Sequence, residues 1–168
     1  MNHFLALVCL AVAAPVLAQT NIPEIPFEAP LDYFKYPAEM NLGELSAVAT
    51  NSKGHVFILS RSNNTGNVFG GAATQLFEFD DKGNFVREIG KGVYGFAFGH
   101  GVRVDRDDNI WVVDKGTNMV MKFNPTGRVT MVFGRREEAT DDHHYPDRSK
   151  GTTPVDGMFN QPTDVAWD

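Results

Sequence analysis

The sequence predicts an all-β fold, a partial β-propeller of four-stranded blades, and three observations predict it. First, a strand-turn-strand unit occurs twice: Val48 through Ser60 lines up with Val102 through Asp114 at an offset of 54 residues (102 − 48). Second, Leu76 through Gly83 lines up with Val120 through Gly127 at an offset of 44 (120 − 76), the difference being a longer loop in the first copy. Third, thirteen Phe and sixteen Gly beside few long helix-forming runs suit short strands joined by tight turns. Four antiparallel strands in a repeat of ~40 to 45 residues is the mark of a propeller blade, and blades stack radially because one alone leaves its faces uncovered.

The chain opens with an apolar run from Phe4 to Leu17 that ends in Val16-Leu17-Ala18 before Gln19. The run falls short of the ~18 to 20 residues a membrane span needs, so residues 1–18 read as a secretory signal cleaved after Ala18. An uncleaved N-terminal anchor is the alternative, since no Lys or Arg precedes the run. Cleavage leaves 150 residues (168 − 18), enough for one modest domain. Cys9 is the only cysteine and lies in the signal, so neither disulfides nor a thiolate metal site are expected.

Residues 19–44 read as an extended N-terminal arm, because Pro23, Pro26, Pro30 and Pro37 interrupt it and no apolar period runs through it. Phe27, Tyr33, Phe34 and Tyr36 are its candidates to pack on a neighbouring surface. Blade one is assigned to about 45–94, with strands near 45–50, 56–60, 75–80 and 85–89. Blade two is assigned to about 98–159, with strands near 101–105, 110–114, 119–124 and 129–133. Asp81-Lys82-Gly83-Asn84 and Pro125-Thr126-Gly127-Arg128 put Gly where positive φ costs little, and Asp107-Asp108-Asn109 turns the first strand of blade two into the second. Val165-Ala166-Trp167-Asp168 repeats Val102-Arg103-Val104-Asp105, so 160–168 read as the opening strand of a third blade. Propellers close with ~4 to 8 blades, so the chain is expected to be the front portion of a longer protein, monomeric at full length.

The formal net charge of −6, with interspersed signs, excludes a nucleic-acid or anionic-membrane surface, which calls for a basic patch. Asp141-Asp142-His143-His144 with Asp147 has hard-metal donors, but Pro146, Gly151, Pro154 and Gly157 around it favour a solvated insertion. The loop from Arg61 to Gly71 is the extra length of the first copy and is expected to border a binding mouth. His55 sits in a turn, and Trp111 and Trp167 read as blade packing.

Gly99-His100-Gly101-Val102-Arg103-Val104-Asp105 followed by Asn109-Ile110-Trp111-Val112-Val113-Asp114 resembles the NHL repeat, and the match covers most of 45–168. More narrowly, three stretches together resemble the peptidyl-α-hydroxyglycine α-amidating lyase family, a six-bladed NHL propeller. These are Val48 through Arg61, His100-Gly101-Val102 with the Trp strand, and Phe133-Gly134-Arg135 leading to Gln161-Pro162-Thr163-Asp164-Val165-Ala166. The resemblance implies that His100 is one ligand of a catalytic zinc, that Arg61 clamps the substrate carboxylate, and that the backbone carbonyls of Val48 and Val102 face a structural calcium. It also implies an exported protein, secreted or periplasmic, that acts on a small peptide-like substrate.

The residue types suit that chemistry. Zinc as a Lewis acid lowers the pKa of a hydroxyl, and neutral imidazoles are its usual ligands. A guanidinium forms two parallel, charge-assisted hydrogen bonds with a carboxylate. Without the resemblance, His100 reads as a loop histidine bonded to a carbonyl and Arg61 as a solvated arginine. The alternative function is a non-catalytic exported NHL propeller that binds a peptide, protein or glycan, since the blades would look the same.

Overall fold

The computed structural model describes residues 23–61, 74–136 and 156–168. The signal assignment, the loop beyond Arg61 and the Asp141–Asp147 cluster lie outside them. The chain divides into two units, Met1–Leu31 and Asp32–Asp168. In the first, residues 23–31 carry no regular secondary structure, and Phe27 is exposed.

The second unit is all-β, with no helix among the described residues. Its strands are β1 (Leu45–Thr50), β2 (Val56–Ser60), β3 (Gln75–Phe79), β4 (Phe85–Ile89), β5 (Gly99–Val104), β6 (Ile110–Asp114), β7 (Met119–Phe123) and β8 (Val129–Gly134). They form two four-stranded antiparallel sheets in the orders β1-β2-β3-β4 and β5-β6-β7-β8, the up-and-down arrangement of propeller blades.

One device makes four of the turns. Asn51, Asp80, Asp105 and Asn124 each accept, on Oδ1, the backbone N–H groups two and four residues on. The residue three further along is left-handed: Gly54 (φ 77°), Gly83 (76°), Asp108 (61°) and Gly127 (88°). A short Asx side chain thus replaces a backbone acceptor and sets the hairpin. Asp108 takes the left-handed position without being glycine, and its carboxylate receives Ser52 N–H (2.8 Å) and Ser52 Oγ–H (2.6 Å) from the other blade.

The main core lies between the two sheets. Phe57, Leu59, Leu76 and Ile89 of blade one meet Val102, Ile110, Val112, Met121 and Phe123 of blade two, with Phe96 from the connection. Alternation sends Ile58, Phe77 and Phe79 to the opposite face of blade one, where Phe34, Met40 and Leu42 cover them. The expected arm is therefore docked from Asp32 onward. Lys35 bridges Asn84 in parallel, and Phe34 lies against Phe79 at 4.8 Å between ring centroids. Arg87 adds a second tie between blades: Nε donates to buried Glu78 (2.6 Å), while Nη1 and Nη2 donate to the carbonyls of Thr126 (2.8 Å) and Pro125 (2.7 Å). His55 also meets Glu78 (2.7 Å), in keeping with a turn histidine.

Asp105 links a turn to acid stability. Burial pushes its pKa up, but hydrogen bonds from the Trp111 indole and from Asn109 and Asp107 prevail and hold it at about 2, below the ordinary 3.8. Because the folded value is depressed, this contribution is complete above pH 3.8 and is lost as pH falls toward about 2. Urea titrations across that window should show the wild type losing about 1 kcal/mol more than Asp105→Asn, the linkage being discounted for solvent screening.

Residues 158–168 form no ladder with any described strand. They nevertheless run beside blade two. Asp164 takes Arg103 Nε (3.0 Å) and Nη2 (2.6 Å), and Trp167 stacks on Trp111 with centroids 5.5 Å apart. The segment 160–168, expected to open a third blade, carries no strand and pairs with none among the described residues.

Candidate functional site

The inner strands β1 and β5 lie next to each other, and each carries a bulge at the same point of the repeat. In blade one Leu45 faces Ser60 and Ala47 faces Leu59, leaving Ser46 as the extra residue. In blade two Gly99 faces Asp114 and Gly101 faces Val113, leaving His100. A bulge breaks the strict alternation of the pleat and re-aims a side chain, here the imidazole. The glycines on either side have steric reasons. A Cβ on Gly99 would lie 2.7 Å from Thr74 Cγ2, and one on Gly101 would lie 3.2 Å from the Thr163 carbonyl oxygen.

Behind the bulge, fully buried Asp114 anchors the connection into β5. Its Oδ2 accepts from Ala97 N–H (2.8 Å), Phe98 N–H (3.0 Å) and Thr74 Oγ1–H (3.1 Å). Its Oδ1 accepts from Thr117 N–H (2.9 Å) and Thr117 Oγ1 (3.0 Å). Thr74 Oγ1 in turn accepts Gly99 N–H at 2.6 Å. These bonds fix the backbone of Phe98 and Gly99, and so the position of His100.

Arg61, immediately after β2, reaches across to the same place and is only 8% exposed. Its Nε donates to the Gly99 carbonyl (2.9 Å), Nη2 lies 3.3 Å from His100 Nδ1, and Nη1 pairs with Glu44 Oε1. The guanidinium carbon sits 3.8 Å above the Phe98 ring centre. A guanidinium has no acceptor, so Nδ1 of His100 must carry the lone pair and Nε2 the proton. Burial lowers the His100 pKa, and the charges of Lys115 and Arg61 lower it further against an opposing pull from Asp164, so the ring is neutral near pH 7.

A cleft of about 290 Å³ opens between the inner strands. Ala47, Val48, His100, Gly101, Val102, Arg103, Thr163 and Asp164 line it, so both blades contribute. Val48 is exposed and Val102 buried. The Arg103 hydrogen bonds hold the Asp164 carboxyl at about 2. The structure therefore brings together Arg61 and His100, and places Val48 and Val102 along the wall of the same cleft.

The described residues do not make a zinc site by themselves. Catalytic zinc takes about three protein ligands, whereas no group of three His, Cys, Asp or Glu residues that could hold a metal occurs among the described residues. The Nδ1 lone pair of His100 is also directed at Arg61.

Four contributors escaped the sequence reading: Glu44, Thr74, Phe98 and Asp114. Only Asp114 left a signal there. It occupies the repeat position of Ser60, whose hydroxyl likewise reaches back to the segment entering its blade, at the Leu42 carbonyl.

No family model matches the chain. The chain is similar to the peptidyl-glycine alpha-amidating monooxygenase of Mus musculus, with 28% identity over 141 residues that cover 74% of this chain. The chain spans 13% of the length of that relative.

Proposed function

We propose that this chain forms the carboxylate-binding part of a carbon-nitrogen lyase site of the peptidyl-α-hydroxyglycine α-amidating type. The reaction would split a peptide ending in α-hydroxyglycine into a peptide amide and glyoxylate. One observation carries the reading: Arg61 and His100, 39 residues apart and from successive blades, meet within 3.3 Å beside the cleft between the inner strands. Similarity to a protein named for peptide amidation supports it.

In this reaction the hydroxyl proton leaves, its oxygen becomes the aldehyde carbonyl, and the electrons of the breaking carbon-nitrogen bond go to the amide nitrogen, which takes up a proton. The residues at hand serve the binding side. Arg61 presents a guanidinium whose plane is set by the Gly99 carbonyl and the Phe98 ring, which suits a terminal carboxylate. Phe98 also keeps water off one face of that charge. Neutral His100 offers Nε2–H to an oxygen of the bound group. Zinc would take His100 as one donor only in the other tautomer, with the proton on Nδ1 and Arg61 withdrawn from it, the remaining donors coming from outside the described residues; calcium belongs to the proposal through the carbonyls of Val48 and Val102. Export, a small peptide-like substrate and a full-length monomer complete the reading.

The native protein that carries this chain should convert α-hydroxyhippurate into benzamide and glyoxylate in equal amounts. Binding of the acid with no glyoxylate above the uncatalysed background would favour the non-catalytic propeller instead.

A further inference from the structure

Resting on the proposed role of Arg61, we infer that Glu44 is an internal stand-in for the substrate carboxylate, which an incoming acid must displace from the guanidinium. Three contacts define Arg61 from the protein side: Nε to the Gly99 carbonyl, Nη2 to His100 Nδ1, and the Phe98 ring beneath the plane. Among the described residues the remaining polar contact of its side chain is the ion pair from Nη1 to Glu44 Oε1, and its partners differ sharply in exposure: the Glu44 side chain is 43% exposed, that of Arg61 10%. The carboxylate of Glu44 therefore approaches from the solvent side, the side from which a ligand would come.

The backbone lets that carboxylate leave without disturbing the site. Arg61 N–H donates to the Glu44 carbonyl at 2.8 Å, which ties the two main chains together just before β1. Rotation about the Glu44 side-chain bonds then releases Nη1 while the ladder stays intact. A half-exposed ion pair is held weakly, because water solvates the carboxylate nearly as well when it is free. A carboxylate that can engage two guanidinium nitrogens outcompetes one held through Nη1 alone. Glu44 thus keeps the buried cation compensated in the empty site and sets a threshold that neutral ligands do not have to meet.

The test uses the full chain with hippurate as the acid probe and hippuramide as its neutral counterpart, both titrated by calorimetry. Glu44→Gln should bind hippurate about fivefold more tightly than the wild type, the scale of one weak ion pair, with hippuramide unchanged. Glu44→Asp, too short to span the gap, should shift in the same direction and guards against a folding artefact in either variant. If the wild type prefers acid to amide and Arg61→Gln abolishes the preference, but both Glu44 variants bind hippurate no more tightly, the stand-in is overturned and the Arg61 reading survives. If no form of the protein prefers acid to amide, the Arg61 reading fails and takes the stand-in with it.

Discussion

Asp114→Ala is expected to destabilise the protein by about 3–5 kcal/mol, the range for removing one partner from a buried charged network. The size follows from what the carboxylate satisfies. Without it, the N–H groups of Ala97, Phe98 and Thr117 and the hydroxyl of Thr74 lose their acceptor in the interior. Asp114→Asn should lose less, because one oxygen remains while the new NH₂ group faces existing donors. Urea denaturation measures both. Local damage should appear at His100 as well, since Gly99 hangs from Thr74 and Thr74 from Asp114. An Asp114→Ala variant within 1 kcal/mol of the wild type, an order-of-magnitude mark for a surface change, would contradict this role.

The second large effect concerns binding. Arg61→Lys should lower kcat/KM for an acidic α-hydroxyglycine substrate on the order of 100-fold, the loss of a forked, charge-assisted contact. Lysine keeps the charge but cannot donate at once to the Gly99 carbonyl and a carboxylate in one plane, nor lie flat on Phe98. The ratio of acid to amide substrate should collapse toward one. That ratio is insensitive to the amount of folded enzyme, and its survival in Arg61→Lys would show that the guanidinium is not the discriminating group.

Local chemistry explains why the strands were legible. Asx residues at 51, 80, 105 and 124, each three residues before a left-handed position, announce the hairpins in the sequence, and apolar runs such as Val56-Phe57-Ile58-Leu59 fill the space between. The repeat itself shows that two copies of one blade are present. β5 starts at Gly99, two residues before the strand pattern alone predicts, because a bulge depends on the register of the partner strand, and nothing in Gly99-His100-Gly101 alone reveals that Asp114 and Val113 face the two glycines. Asp114 looked like the end of an apolar strand, yet its four partners lie in segments 3 to 40 residues away. Glu44 ends the proline-interrupted arm, and only the docking of that arm along blade one brings it to Arg61. Long-range hydrogen bonds of this kind follow from how the blades stack, which pattern and propensity do not encode.

Blades one and two bring the guanidinium of Arg61 to Nδ1 of His100 beside one cleft, and everything proposed for the site rests on that meeting. Long-range ¹⁵N–¹H correlation of the histidine rings tests it most directly near pH 7. His100 should be neutral and protonated on Nε2, with an Nδ1 resonance that moves toward that of a free lone pair in Arg61→Gln. A His100 ring protonated on Nδ1, or an Nδ1 resonance indifferent to the loss of Arg61, would contradict it.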